Sequence, residues 1–132
     1  MNNKDKQDEL LKAARTAAQN AYAPYSNYKV GAAVLTGDNR IFTGCNIENA
    51  SYGLTICAER VAIFNARLHG AKRFKIVAIH APKPHDPLPC GACRQVMSEG
   101  DNHPDIVVEN SEGKIQRYKF SDLFPQRFDF QS

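Results

Sequence analysis

The chain of 132 residues has no hydrophobic run near the roughly 18 residues that a membrane-spanning helix needs, so we expect no membrane partner. Its first residues, Met-Asn-Asn-Lys-Asp-Lys, are polar and no apolar segment follows them, which predicts a cytoplasmic protein without a signal peptide. Tryptophan is absent, and the formal charge of +3 comes from scattered Lys and Arg residues, which argues against a nucleic-acid partner. Because repeats and low-complexity linkers are also missing, residues 1–132 are predicted to form a single domain.

The sequence contains only four cysteines. In a secreted protein they could form two disulfides, but without a signal peptide metal binding or catalysis is the better interpretation. Three of them fall in two short motifs, Cys57-Ala58-Glu59 and Pro89-Cys90-Gly91-Ala92-Cys93. The fourth, Cys45, is interpreted as a small buried hydrophobic residue and is given no role.

Three cysteine ligands are typical of a catalytic zinc site. They leave one coordination position open, whereas a fourth protein ligand would close the site and make it structural. Both motifs are predicted to begin a helix, where the free backbone N–H groups and the helix dipole favour thiolates. Cys90 and Cys93 are three residues apart and therefore share one helical face. The sequence thus predicts one zinc ion per chain, held by Cys57, Cys90 and Cys93.

The hydrophobic pattern predicts an α/β fold. The triplet Gly37-Asp38-Asn39 is typical of a turn and predicts an antiparallel hairpin, while the later alternation of strands and helices predicts parallel crossovers. The expected fold is a three-layer αβα domain with a mixed five-stranded sheet, and its ligands are expected at the carboxyl edge. Helices are predicted over Asp5–Tyr22, Cys57–Leu68, Cys90–Glu99 and Ser121–Phe124, and strands over Tyr28–Thr36, Arg40–Asn46, Phe74–Ala81, Asp105–Glu109 and Lys114–Phe120.

Five segments between Tyr22 and Gln95 point to one protein family. They are Ala23-Pro24-Tyr25-Ser26, Val30-Gly31-Ala32-Ala33, Gly44-Cys45-Asn46-Ile47-Glu48-Asn49-Ala50, Cys57-Ala58-Glu59-Arg60 and Pro89-Cys90-Gly91-Ala92-Cys93-Arg94-Gln95. Together they resemble the small, homotetrameric class of zinc-dependent cytidine deaminases. The resemblance implies the cytidine deaminase-like fold and a hydrolase of pyrimidine salvage. Its expected substrates are the nucleosides cytidine and 2′-deoxycytidine, its products uridine and 2′-deoxyuridine, and it releases ammonia.

The resemblance also implies roles for single residues. Zinc would be held by the three cysteines, and Glu59 would be the proton shuttle. The substrate-binding residues would be Tyr28 against the pyrimidine, the backbone amide of Ala58 at the base, and Asn46 and Glu48 at the ribose hydroxyls. A phenylalanine from a neighbouring subunit, either Phe128 or Phe130, would close the pocket. Without the resemblance, Tyr28 would be predicted as a core residue, and Asn46 and Glu48 as ordinary loop residues.

Two charged residues after Cys57 suit this chemistry. Three thiolates on a divalent ion leave the site negative, and Arg60, one helical turn after Cys57, is predicted to donate hydrogen bonds to the sulfurs and restore the Lewis acidity of the metal. Glu59 is not needed as a ligand and can carry a proton from water to a ring nitrogen and then to the departing amine.

Three alternatives stay open on the sequence alone. A deaminase of related nucleoside antibiotics would share the zinc motif. A non-catalytic structural zinc module would need a fourth ligand, for which Cys45 and His85 are candidates. A deaminase of polynucleotides would need a basic channel and stacking aromatic residues, which the charge and composition do not favour.

Overall fold

The structure of the protein, a computed structural model, describes residues 3–82, 86–100 and 102–130. The chain forms four α-helices and five strands in these ranges, with a 3-10 turn at Tyr52–Leu54. The helices are α1 (Asn3–Ala18), α2 (Ala58–Leu68), α3 (Gly91–Met97) and α4 (Phe120–Leu123). The strands are β1 (Gly31–Thr36), β2 (Ile41–Cys45), β3 (Phe74–Ala81), β4 (Asp105–Asn110) and β5 (Ile115–Tyr118).

The five strands make one mixed sheet in the order β2-β1-β3-β4-β5, which confirms the predicted sheet. Strands β3 and β4 are parallel, and the other neighbouring pairs are antiparallel. Because β1 runs opposite to both β2 and β3, these two strands point in the same direction. Helix α2 follows β2 and helix α3 follows β3, so both helices begin at the same carboxyl edge of the sheet.

Helices cover both faces of the sheet. On one face, Leu10 and Leu11 of α1 pack against Ala33 and Leu35 of β1. On the other face, residues of α2, α3 and α4 pack against the alternate positions of the same strand. Every residue of β1 is therefore buried, as its continuous apolar sequence predicts. Among the described residues, no helix has both the length and the hydropathy to cross a membrane.

Two element boundaries differ from the sequence prediction by more than two residues, and the others differ by two residues or fewer. The first helix was expected to reach Tyr22 but ends at Ala18, because the Tyr22 N–H leaves the helix and donates to the Asn46 carbonyl at 3.0 Å. The first strand was expected to start at Tyr28 but starts at Gly31. The backbone just before it bonds to the Asn46 side chain instead of to a neighbouring strand.

Two glycines allow helices to approach the sheet closely. A Cβ atom at Gly31 would lie 1.9 Å from the Ala14 carbonyl oxygen of α1. A Cβ atom at Gly44 of β2 would lie 2.4 Å from the Ala62 nitrogen and 2.7 Å from the Ala58 oxygen of α2. Because no other residue fits these contacts, the glycine of β2 sets the position of α2 and thereby of the residues at its start.

Candidate active site

The starts of α2 and α3 bring three cysteines together at the carboxyl edge of the sheet. Cys57 and Cys90 are the N-cap residues of the two helices, and Cys93 is buried in α3. The Sγ atoms of Cys57 and Cys90 are 3.9 Å apart, and those of Cys90 and Cys93 are 3.6 Å apart. All three sulfurs lie within 4.8 Å of one another, so the cluster can hold one metal ion.

The geometry of this cluster fits zinc. Zn–S bonds of about 2.3 Å in a tetrahedral site separate two sulfurs by about 3.8 Å. The two measured separations of 3.9 and 3.6 Å lie on either side of this value, and none of the three cysteines is in a disulfide. Of the candidates for a fourth ligand, Cys45 is not part of the cluster and His85 lies outside the described residues.

Electrostatic interactions inside the cluster favour a thiolate at Cys57. A hydrogen bond from the Cys93 thiol lowers the pKa of Cys57 to about 5, against the opposing effect of burial and with further help from Arg60. The same pairing, together with burial, raises the pKa of Cys93. The Arg60 Nη2 atom lies 3.4 Å from the Cys57 Sγ atom, and this contact raises the pKa of the guanidinium.

Glu59 lies beside the cluster with its side chain almost completely buried, at 5% exposure. Burial raises the pKa of its carboxyl to about 7, and the negative charge of Cys57 acts in the same direction. Burial and, after it, the charge of Glu59 raise the pKa of Tyr28. Tyr28 and Glu59 line a common space.

That space is a cavity of about 580 Å³. Cys57 and Cys90 reach it from the metal cluster, and the other predicted site residues that line it are Tyr28, Asn46, Glu48, Ala58 and Glu59. The two remaining predicted residues, Cys93 and Arg60, lie behind this surface, where they contact the Cys90 and Cys57 sulfurs. Phe128 and Phe130 do not line this cavity in their own chain, where both are exposed.

Several residues for which the sequence indicates no role also line the cavity, including Ser26, Thr55, Ile79 and Asp86. Ser26 belongs to one of the segments that carry the family resemblance, so its position there was the available signal. Asp86 lies within the proline-rich segment between β3 and α3, and the sequence offers no spacing or motif that would select it.

The two residues predicted at the ribose also hold the backbone of the cavity wall. Asn46 Oδ1 accepts a hydrogen bond from the Val30 N–H at 2.9 Å, and its Nδ2 donates to the Tyr28 carbonyl at 2.8 Å. Glu48 Oε1 accepts from the N–H groups of Tyr25 and Ser26 at 2.9 and 3.2 Å. An Asn side chain can donate two hydrogen bonds and a carboxylate can accept about four. The second N–H of the Asn46 amide and further lone pairs of the Glu48 carboxylate therefore remain for a ligand.

Comparison with known proteins agrees with this geometry. Residues 4–109 match the family described as the cytidine and deoxycytidylate deaminase zinc-binding region. The chain is 45% identical over 120 residues to a cytidine deaminase of Halalkalibacterium halodurans, which covers 90% of this chain and 91% of that protein. The chain belongs to the cytidine deaminase family. The predicted zinc cofactor is thereby confirmed, since the family region is a zinc-binding one and the three sulfurs can hold one ion.

Two further members of the cytidine deaminase family support the assignment. A probable cytidine deaminase of Dictyostelium discoideum is 49% identical over 108 residues, which are 81% of this chain and 74% of that protein. The crystal structure of a cytidine deaminase from Burkholderia pseudomallei superimposes with a TM-score of 0.88 at 44% identity, covering 97% of this chain and 100% of the other. The three-layer fold predicted from the sequence is the fold of this family.

Proposed function

We propose that the protein catalyses the hydrolytic deamination of cytidine and 2′-deoxycytidine, with uridine, 2′-deoxyuridine and ammonia as products. The observation that carries this proposal is the cavity itself. It brings a three-sulfur cluster with room for a fourth ligand against a buried carboxylate, and its remaining wall carries an aromatic ring and hydrogen-bonding groups.

The residues supply what hydrolysis of an amidine needs. When bound, zinc acts as a Lewis acid that makes water nucleophilic at neutral pH. The Glu59 carboxylate takes a proton from the attacking water and delivers it to N3 of the cytosine ring as oxygen adds at C4. It then takes the second proton of that oxygen to the exocyclic nitrogen, and the C–N bond breaks to release ammonia. A buried carboxyl group suits this work because no bulk water competes for the proton.

The other wall of the cavity accounts for nucleoside binding. Tyr28 packs against the pyrimidine, and the N–H of Ala58, which is free at the start of α2, donates to the base. The amide of Asn46 and the carboxylate of Glu48 bind ribose hydroxyls. A carboxylate at the 3′-hydroxyl does not read the 2′ position, so both cytidine and 2′-deoxycytidine are accepted.

The charge of the cavity favours a nucleoside over a nucleotide or a polynucleotide. Among the described residues that line it, the charged side chains are Glu48, Glu59 and Asp86, and all three are acidic. A phosphate group would meet three carboxylates and no Lys or Arg, which makes its binding unfavourable. The structural-module alternative is not favoured, because such a site would be closed by a fourth ligand.

We further propose that the active protein is a homotetramer that serves pyrimidine salvage in the cytoplasm. Tyr52 and Leu54 are 76% and 64% exposed in the loop whose next residue, Thr55, lines the cavity. An exposed apolar loop beside a substrate site suits a symmetric contact with a second copy of the chain. Three free thiols in a metal cluster need a reducing compartment such as the cytoplasm.

A substrate panel tests the proposed function. Protein loaded with one zinc per chain is mixed with cytidine, 2′-deoxycytidine, cytidine 5′-monophosphate and a cytosine-containing oligonucleotide, and the fall in cytosine absorbance is followed. The two nucleosides are expected to be converted at comparable kcat/KM, with little conversion of the phosphorylated compounds. Turnover of the oligonucleotide without turnover of the nucleosides would reverse the proposal.

A further inference from the structure

Ser26 lies at the cavity between two residues that have proposed substrate roles. Its hydroxyl donates a hydrogen bond to Glu48 Oε2 and accepts one from the Tyr28 N–H at 3.0 Å. Its own backbone N–H donates to Glu48 Oε1 at 3.2 Å. One exposed serine thus contacts both oxygens of a buried carboxylate and the backbone of the aromatic residue.

The backbone around Ser26 is a tight turn with no strand to support it. The Asn27 N–H donates to the Ala23 carbonyl at 2.9 Å, and Asn27 has a φ of 55°, in the left-handed region where Asn is tolerated. The Glu48 carboxylate closes the turn by accepting from the Tyr25 N–H as well. Because strand pairing begins only at Gly31, side-chain hydrogen bonds determine where Tyr28 sits.

Ser26 makes no contribution to the hydrophobic core that would explain these contacts, because its side chain is on the surface of the cavity. Its hydrogen bond is the largest cause that lowers the pKa of Glu48, with the two backbone N–H donors adding to it. The carboxylate is therefore held both ionised and in one orientation, and each property favours a hydrogen bond from a sugar hydroxyl.

We propose that Ser26 is a positioning residue that fixes the Glu48 carboxylate and the Tyr28 backbone relative to each other, so that sugar binding and base binding are linked through one hydroxyl group. This inference rests on the proposed function, because it takes Glu48 as the group that binds the sugar. Ser26 itself does not contact the substrate and acts through Glu48 and Tyr28.

A comparison of two substrates tests the inference. Ser26→Ala, Ser26→Thr and the wild type are assayed in zinc-loaded form with cytidine and with 2′,3′-dideoxycytidine, which lacks the 3′-hydroxyl that Glu48 would bind. A hydrogen bond to a charged group has a strength that corresponds to about a tenfold effect or more, so Ser26→Ala is expected to raise KM for cytidine about tenfold, with a smaller change in kcat. For the dideoxy substrate the rise is expected to be several times smaller.

Two further variants complete the kinetic test. Ser26→Thr keeps the hydroxyl and is expected to restore most of the affinity for cytidine. Ser51→Ala removes an exposed serine from the nearby loop, where the backbone N–H bonds to Asn49, and is expected to leave both substrates unaffected. A KM for cytidine that is unchanged in Ser26→Ala, or an equal loss on both substrates, would overturn the inference.

Amide hydrogen exchange gives a readout that does not need turnover. In Ser26→Ala the Tyr28 amide loses its acceptor and is expected to exchange about tenfold faster than in the wild type, while the amides of β1 keep their protection. An unchanged exchange rate at the Tyr28 amide would show that the Ser26 hydroxyl does not hold this N–H group, and the inference would fail. If the wild type converts neither nucleoside, the proposed function fails, and the exchange rates still decide whether Ser26 fixes this turn.

Discussion

The proposed deamination depends most directly on the carboxyl group of Glu59, which transfers the protons. It is 5% exposed, it follows Cys57 by two residues, and it lines the cavity. General acid–base catalysis by one positioned group contributes about a hundredfold to ten-thousandfold. Glu59→Gln is therefore expected to keep one zinc per chain and to lose at least about a hundredfold in kcat, measured by metal analysis and the cytidine assay on the same sample. Loss of zinc together with activity would mean that Glu59 acts as a ligand.

Arg60 is predicted to act through the sulfur of Cys57 and not on the substrate. Its Nη2 atom contacts that sulfur at 3.4 Å, and its buried Nε atom has no hydrogen-bond partner among the described residues. Changes in the groups around a metal site cost about tenfold to a hundredfold in activity or metal affinity. Arg60→Gln is expected to lower kcat in this range while the zinc content falls less.

Arg67 provides the matched control for this substitution. It belongs to the same helix, but its guanidinium donates to the Ala71 and Lys72 carbonyls at the opposite end. Arg67→Gln is expected to cost some stability and to leave kcat unchanged. If both variants lost activity equally, the cause would be a weakened α2 and not the sulfur contact.

Glu48 connects protein stability to pH. Its pKa is lowered, first by the Ser26 hydroxyl and then by two backbone N–H groups, so its ionised form stabilises the folded protein above the ordinary carboxyl value of 4.5. That stabilisation is lost as the pH falls through the lower folded-state pKa. Glu48→Gln is expected to reduce the free energy of unfolding in urea at about pH 7, and the difference from the wild type is expected to shrink by about pH 3.5. Glu9→Gln, at an exposed position of α1, is the control and is expected to show little difference at either pH.

The packing of helix α2 on strand β2 determines where Ala58 and Glu59 lie in the site. A methyl group at Gly44 would overlap the backbone of α2 at Ala58 and Ala62, so Gly44→Ala must push the helix away from the sheet. Overpacking of this kind costs about 1–3 kcal/mol, and it moves Ala58 and Glu59 relative to the rest of the cavity. We expect a lower midpoint of urea unfolding together with a lower kcat/KM for cytidine.

Gly53→Ala is the control for this prediction, because a Cβ atom at Gly53 meets nothing within 4 Å. The unfolding midpoint of this variant is expected to stay close to that of the wild type. A Gly44→Ala protein with normal stability would show that α2 tolerates a shift from the sheet, and the close approach would then not define the site.

The segment before β1 shows which structural features sequence patterns do not predict. Helices and strands whose hydrophobic periodicity matches their burial, such as α2 and β3, lie where the sequence predicts them. Tyr28 and Val30 extend the strand pattern of β1 but are held by the amide of Asn46, a contact between positions far apart in the chain. Periodicity reports burial and cannot report such side-chain contacts, which is why Ser26 and Asp86 were not selected.

The molecule as a whole does not depend on the metal for its core. Two hydrophobic clusters fill opposite faces of the sheet. Of the three cysteines in the metal site, Cys93 is buried in one of these clusters and Cys57 packs against it. Small zinc modules, in contrast, unfold when their ion is removed. Chelation of zinc is therefore expected to abolish turnover while far-UV circular dichroism and cooperative thermal unfolding persist, with a lower midpoint because a bound ligand stabilises the folded state. Added zinc is expected to restore activity. Loss of the fold on chelation would instead favour a structural role for the three cysteines.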